Sequence, residues 1–256
     1  RVAILNKTLI IGSGGYIGSR LINEIDANGV DINWFKKGKK DVDFKDLTRD
    51  YYSEYDNIIL LAGHSSVKMS EGNLNSCFNV RNFIDLLEKL DNQKLIYASS
   101  SSVYGSVGGK TVNEKYFGFE PYNQYDISKH TADLYAQKSD VEYYALRFGT
   151  VNGYSPFLRS DVMINAMVNS ALTDGHIKLY IKDTMRPILG INDLCRAVRY
   201  ILASGEDKRG LYNLASFNKT AEQIAYEVAD VMGVEVKEFQ ADPTQIENTK
   251  NQTKAY

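Results

Sequence analysis

Tyr125 and Lys129 stand four residues apart, and on a helix that spacing puts both side chains on one face. An ammonium beside a phenol favours the phenolate and lowers its pKa. A tyrosine tuned in that way takes or returns a hydroxyl proton near neutral pH. A chain with 18 tyrosines shows the spacing by chance, so its weight comes from what surrounds it. Ser99-Ser100-Ser101-Ser102 precedes Val103-Tyr104-Gly105 and follows an apolar, strand-like run. Hydroxyls at the carboxyl end of a strand lie where open α/β sheets bind ligands. A serine there hydrogen-bonds a substrate hydroxyl and the carbonyl that develops from it, although a polar turn has the same composition. Gly12-x-x-Gly15-x-x-Gly18 joins an apolar run to a helical pattern. Glycines in such a turn let the backbone approach a diphosphate, and the helix that follows offers N–H groups to it.

These residues need a strand before each loop and a helix behind it. Residues 7–11 read as a buried strand, 18–27 as a helix and 30–35 as a second strand. A continuous apolar run at 57–62 reads as a strand covered on both faces. Helical spacing follows at 79–90, a strand at 94–98, a helix at 122–138 and a strand at 143–148. Strands alternating with helices predict an α/β fold, a Rossmann-type doubly wound parallel sheet. An acid after the second strand of such a sheet receives the adenosine ribose hydroxyls. With that strand running to Phe35, no acid follows until Asp41, and Lys36 and Lys37 stand in its place. Two ammonium groups suit a 2′-phosphate, so NADP(H) is expected over NAD(H); solvated loop lysines are the alternative. Past Thr150 the rhythm loosens: helices at 161–173, 191–203 and 220–232, and a strand at 177–181. Thr220 and Gln223 are spaced as a capping box. We expect residues 1–150 to form the dinucleotide-binding domain, with 182–212 packing back on it. Residues 151–181 and 213–256 are expected to form a smaller α/β substrate-binding lobe.

Composition narrows the partners. The 256 residues carry a formal net charge of -2, which argues against a coat for nucleic acid or an anionic membrane. Two cysteines, Cys77 and Cys195, cannot make a disulfide framework, and a cytoplasmic, reducing compartment is expected. Both are read as helix core. Three histidines without paired metal-ligand spacing predict no metal site, and His64 is assigned a structural role. No apolar stretch approaches membrane-spanning length.

Taken in order, these segments resemble the extended short-chain dehydrogenase/reductase family of nucleotide-sugar epimerases, dehydratases and reductases. The resemblance runs from about Thr8 to about Ser216. It rests on the glycine turn, Leu60-Leu61-Ala62-Gly63, Asn79-Val80, the serine run through Gly105, Tyr125-x-x-x-Lys129, Leu146-Arg147-Phe148-Gly149 and the stretch from Arg186 to Leu194. It implies that Tyr125 transfers the proton, that Lys129 tunes it and holds the nicotinamide ribose, and that Ser100 is the catalytic serine. The turn residues Gly12, Gly15, Tyr16, Ile17 and Gly18 would hold the dinucleotide, with Asp43 and Phe44 at adenine. Leu61, Ala62, Gly63 and Ser99 would line the rest of the cofactor. Ser101 and Asn165 would face substrate, and Arg186 would bind its diphosphate. The run Ser100-Ser101-Ser102 lacks the Thr-Asp-Glu pattern of 4,6-dehydratases. The function implied is an NAD(P)-dependent nucleotide-sugar epimerase working by hydride transfer at a sugar carbon, C4 being the leading expectation. The alternatives are an NADPH-dependent reductase of nucleotide-linked keto-sugars and a silent dinucleotide sensor. A nucleotide-sugar substrate and a homodimer through helices 79–90 and 122–138 are the implied partners.

Overall fold

The computed structural model describes residues 7–31, 44–70, 75–105, 107, 110–116, 118–205, 207–242 and 256. The first half contains β1 (Thr8–Ile11), α1 (Tyr16–Leu21), β2 (Asn28–Val30), α2 (Arg49–Tyr52), β3 (Asn57–Leu60), α3 (Val67–Ser70), α4 (Asn75–Lys89), β4 (Lys94–Ser100), α5 (Gln124–Lys138) and β5 (Glu142–Phe148). The second half adds β6 (Thr150–Asn152), α6 (Met163–Asp174), β7 (His176–Leu179), β8 (Met185–Gly190), α7 (Ile191–Ala203), β9 (Gly210–Leu214), β10 (Phe217–Thr220), α8 (Ala221–Met232) and β11 (Glu235–Glu238).

Six strands form one parallel sheet in the order β2-β1-β3-β4-β5-β9. Every residue of β1 and β3 is buried, so both faces of the sheet need cover. Strand alternation divides the load. Leu9, Ile11, Ile58 and Leu95 meet Phe83 and Leu86 of α4 and Ala132 and Ala136 of α5. Ile10, Ile59 and Ile96 meet Leu21 of α1 and Leu194 and Val198 of α7 on the other side. Each such apolar side chain contributes about 1.5–3 kcal/mol by burial. The chain leaves β1 for β2 on one side and returns to β3 on the other, so the carboxyl ends of β1 and β3 are the topological switch point where such sheets bind ligands. This is the expected doubly wound α/β fold. A third cluster, with Met167, Ala171, Ile177 and Ile224, lies under α6 and α8 as a smaller lobe, and it takes in Ile188 of β8, although 182–212 is expected to pack on the dinucleotide-binding domain. Two small sheets accompany that lobe, β10-β8-β6 and β11-β7.

Several expectations need correction. The first helix ends at Leu21 instead of continuing to residue 27. β2 is described over Asn28–Val30, where Ile11 lies opposite Val30, and residues 32–35 of the expected second strand lie outside the described residues. Strands β6, β8, β9, β10 and β11 carry no apolar alternation strong enough to declare them. In β8, Pro187 also interrupts the donor pattern expected of a strand. Cys77 is exposed on α4, contrary to a core role, whereas Cys195 is buried as expected. The α8 N-terminus forms as the spacing predicted, Thr220 and Gln223 making both halves of the capping box.

Candidate active site

The glycine turn between β1 and α1 is fixed by steric exclusion. A Cβ on Gly12, whose φ is +96°, would lie 2.5 Å from the Ala62 nitrogen, and one on Gly18 would lie 2.0 Å from the Gly12 oxygen. Gly15 is under less pressure, its nearest neighbour being 3.4 Å away. As N-cap of α1 it contributes no side-chain cap, so the first-turn N–H groups are left for what the cleft holds. The turn abuts the loop after β3, where Leu61 and Ala62 both donate to the Ile11 carbonyl. Asn79 pins that loop by accepting from the His64 N–H and donating to the His64 carbonyl.

The acid missing from the sequence reading is Asp31. Asp31 directly follows Val30 of β2 and is 3% exposed, with one carboxylate oxygen accepting from the Gly14 N–H at 2.8 Å. It stands about 20 residues after the first glycine, the position of the ribose-binding acid in dinucleotide folds. A buried acid thus stands ahead of Lys36 and Lys37 in the chain. Lys36, Lys37 and Asp43 lie outside the described residues. Phe44 is buried, and its carbonyl accepts from the Tyr52 hydroxyl. It borders a cavity of ≈ 680 Å³ that also touches Ala62, Gly63 and His64.

A larger cleft, ≈ 1380 Å³, runs from the glycine turn past Ser99–Ser102, Tyr125 and Lys129 to Arg159 and Arg186. Asn123 caps α5 by accepting from the Asp126 N–H, so Tyr125 and Lys129 occupy the first turns with their side chains on the cleft. The Lys129 Nζ donates to the Ala98 carbonyl at 2.7 Å and lies 5.8 Å from the centre of the Tyr125 ring. Ser100 ends β4, and its Oγ accepts from the Ser102 N–H at 3.2 Å. Burial pushes the Tyr125 phenol up; a hydrogen bond with Ser100 and the field of Arg159 pull it back. Burial pulls Lys129 down to about 8, against the opposing field of Asp133. Lys129 therefore acts less directly on Tyr125 than the spacing suggests, because its ammonium is seated on the β4 backbone. Ser99 Oγ is buried without a hydrogen-bond partner among the described residues. A buried hydroxyl without a partner among the described residues, a buried acid beside the glycine turn and the sterically closed turn itself together fit a dinucleotide.

On the far wall, Arg186 of β8 borders the cleft, and burial lowers its guanidinium to about 10. Arg159 was not singled out from the sequence. Its guanidinium pairs side-on with Asp161 through contacts of 2.9 and 2.6 Å and faces Tyr16 and Tyr125 electrostatically. The only sequence sign of it was an Arg-x-Asp pair at a helix entry, which surface ion pairs also produce. Asn165 stands apart from the cleft lining. Its Oδ1 accepts from the Gly153 N–H at 2.9 Å, and its Nδ2 donates to the Arg159 carbonyl at 2.8 Å and to the Tyr16 hydroxyl at 3.3 Å. It braces the loop that carries Arg159. The Tyr16 hydroxyl donates to the Gly153 carbonyl at 2.7 Å, and Ser155 Oγ to the Tyr16 carbonyl at 2.6 Å, tying α1 to the same loop. Ser101 borders the cleft and shares a hydrogen bond with the Tyr256 hydroxyl, which also donates to the Arg147 carbonyl at 3.1 Å.

Comparison with known proteins matches this architecture. Protein CapI of Staphylococcus aureus is 28% identical over 228 residues, covering 75% of this chain and 68% of that protein. The solved structure of MoeE5 in complex with UDP-glucuronic acid and NAD superposes with a TM-score of 0.79 at 22% identity, covering 97% of this chain and 88% of that one. The UDP-glucuronic acid 4-epimerase of Bacillus cereus, in complex with UDP-glucuronic acid and NAD, gives a TM-score of 0.75 at 19% identity, covering 98% and 94%. At those identities the structures show the shared fold. The sequence profile of the NAD dependent epimerase/dehydratase family matches residues 8–215, and the chain belongs to that family.

Proposed function

We propose that this member of the epimerase/dehydratase family inverts a carbon, C4, of a nucleotide-linked sugar with NAD as its cofactor. The observation that carries the reading is the convergence of Ser100, Tyr125 and Lys129 on one cleft with the glycine turn and Asp31. NAD, when bound, supplies the hydride acceptor and donor. The chain supplies the rest. Tyr125 takes the proton of the reacting hydroxyl and returns it. Ser100, already hydrogen-bonded to Tyr125, holds the oxygen that passes between alcohol and carbonyl. Lys129 stabilises the phenolate as it forms; a positioned proton transfer of this kind contributes about 10²–10⁴-fold. Arg186 is assigned to the diphosphate, as a cationic side chain that borders the cleft. Asp31 supports NAD over NADP, because a buried carboxylate accepts ribose hydroxyls and repels a 2′-phosphate.

The test is incubation with UDP-glucuronic acid and with UDP-glucose, followed by NMR of the sugar. Interconversion of C4 epimers without net change in nicotinamide absorbance is the expected result. Net NADPH oxidation by a keto-sugar would replace this reading with the reductase. NADH should bind at least tenfold more tightly than NADPH; equal affinity would remove Asp31 from its role. The exposed apolar residues Phe78 of α4 and Ile127, Leu134 and Tyr135 of α5 support a homodimer through these helices, checked by light scattering.

A further inference from the structure

Asp133 follows Lys129 by four residues on α5, as Lys129 follows Tyr125, so the three share one helical face. Asp133 is almost wholly buried, its side chain 1% exposed against 5% for its partner Arg147. Both carboxylate oxygens are engaged from the sheet. Oδ1 accepts from the Tyr97 hydroxyl of β4 at 2.9 Å, and Oδ2 from the Arg147 Nε of β5 at 2.9 Å. Arg147 in turn donates to the Tyr104 hydroxyl at 2.9 Å, and Tyr104 donates to the Asn213 side chain of β9 at 2.5 Å. Tyr97 immediately precedes Ala98, whose carbonyl seats Lys129. The network thus grips the strand and the helix that meet at Lys129. A buried ion pair adds little net stability to a fold, because desolvating two charges offsets their attraction. Its placement one helical turn behind a buried ammonium gives it a different use.

We propose that Asp133, clamped by Tyr97 and Arg147, is a positioning residue that keeps Lys129 protonated and seated on the Ala98 carbonyl. It touches neither substrate nor cofactor. The charged and titratable groups around the pair are Tyr125, Asp126 and His130 on α5, Tyr97 on β4, Tyr104 beyond it, and Arg147 and Tyr143 on β5, with Asp126 acting on Tyr125 and Arg159 reaching the same cleft through Tyr125. Among these, Asp133 carries the negative charge that opposes the desolvation of Lys129. The catalytic meaning rests on the function proposed above, but the proton on Lys129 is read without substrate.

The experiment is competitive acylation of the intact protein with trace acetic anhydride across a pH series, with the Lys129 peptide quantified by mass spectrometry. In the native protein the Lys129 midpoint falls near 8. Asp133→Asn keeps the shape and removes the charge, and the midpoint drops by about one pH unit. The alkaline limb of turnover moves to lower pH with it, while KM stays within about twofold. Asp133→Glu restores both readouts. Tyr97→Phe keeps the charge, lowers Tm and leaves the midpoint in place. A folded Asp133→Asn protein with an unmoved midpoint overturns the proposal. Should that variant not fold, Arg147→Gln reads the same coupling with the opposite sign, and an unmoved midpoint there overturns it equally. A midpoint that shifts in a protein inactive on every nucleotide sugar retains this inference and rejects the proposed reaction.

Discussion

The two walls of the cleft are built on different principles. The cofactor wall is defined by the absence of side chains: Gly12 and Gly18 sit where a single methyl group would overlap backbone atoms. The wall proposed for the sugar, the sugar wall, is defined by long side chains, Arg159 and Arg186, delivered from a loop and from β8. A wall made of backbone has no slack, and its residues are set by local geometry. A wall made of arginines draws its precision from bracing, as when Asn165 holds the carbonyl of Arg159. The first kind can be read from a short stretch of chain; the second depends on residues brought together from distant segments.

Substitutions separate the walls. The largest effect is expected from Gly18→Ala. Its added carbon would lie 2.0 Å from the Gly12 oxygen, so the protein either fails to accumulate or loses NADH binding by more than about 100-fold in a fluorescence titration. Near-native binding would show the turn to be softer than its geometry. Next, Tyr125→Phe should lower turnover about 10²–10⁴-fold while the NADH dissociation constant changes less than twofold. A parallel loss of affinity would place Tyr125 in the cofactor wall alone. The smallest is a gain. Lys129→Met removes a buried ammonium and should raise Tm by a few degrees at pH 7 while abolishing turnover. Its sign follows from burial. The folded chain releases the Lys129 proton near 8 and the unfolded chain near 10.5, so the penalty is complete below 8. The advantage of the variant should therefore shrink as pH rises from 8 toward 10.5. An advantage constant across that window would trace it to packing instead of charge.

The sequence made the backbone-defined wall legible down to single residues. Gly12, Gly15, Gly18, Ala62 and Gly63 all border cavities, as do Ser100, Tyr125 and Lys129. Asp31 escaped because Val30, Ile32 and Trp34 alternate convincingly and it reads as one more strand residue; its hydrogen bond to the glycine turn shows only in the folded chain. Helical position does not say which of two neighbours an amide serves, and Asn165 makes its bonds to the loop of Gly153 and Arg159. Arg159 carried no periodic signal, and only the folded chain brings its charge to bear on Tyr16 and Tyr125. Strands β6 and β8 escaped for the same reason as the sugar wall: their partners lie far along the chain.

The contacts that join Tyr16 to Gly153 and Ser155 bridge segments more than 130 residues apart in the chain. Energy delivered to α1 is therefore shared with the loop before α6. A dinucleotide that binds the glycine turn stabilises the folded state by mass action. Through this latch the gain should extend to backbone amides that never meet the ligand. The Gly153 and Ile164 N–H groups, held by Asn165 and Asn152, should exchange with deuterium more slowly when NAD is present. The cofactor would then act as a fastener for the sugar wall, so that the cleft is firmest when the reaction it serves is possible.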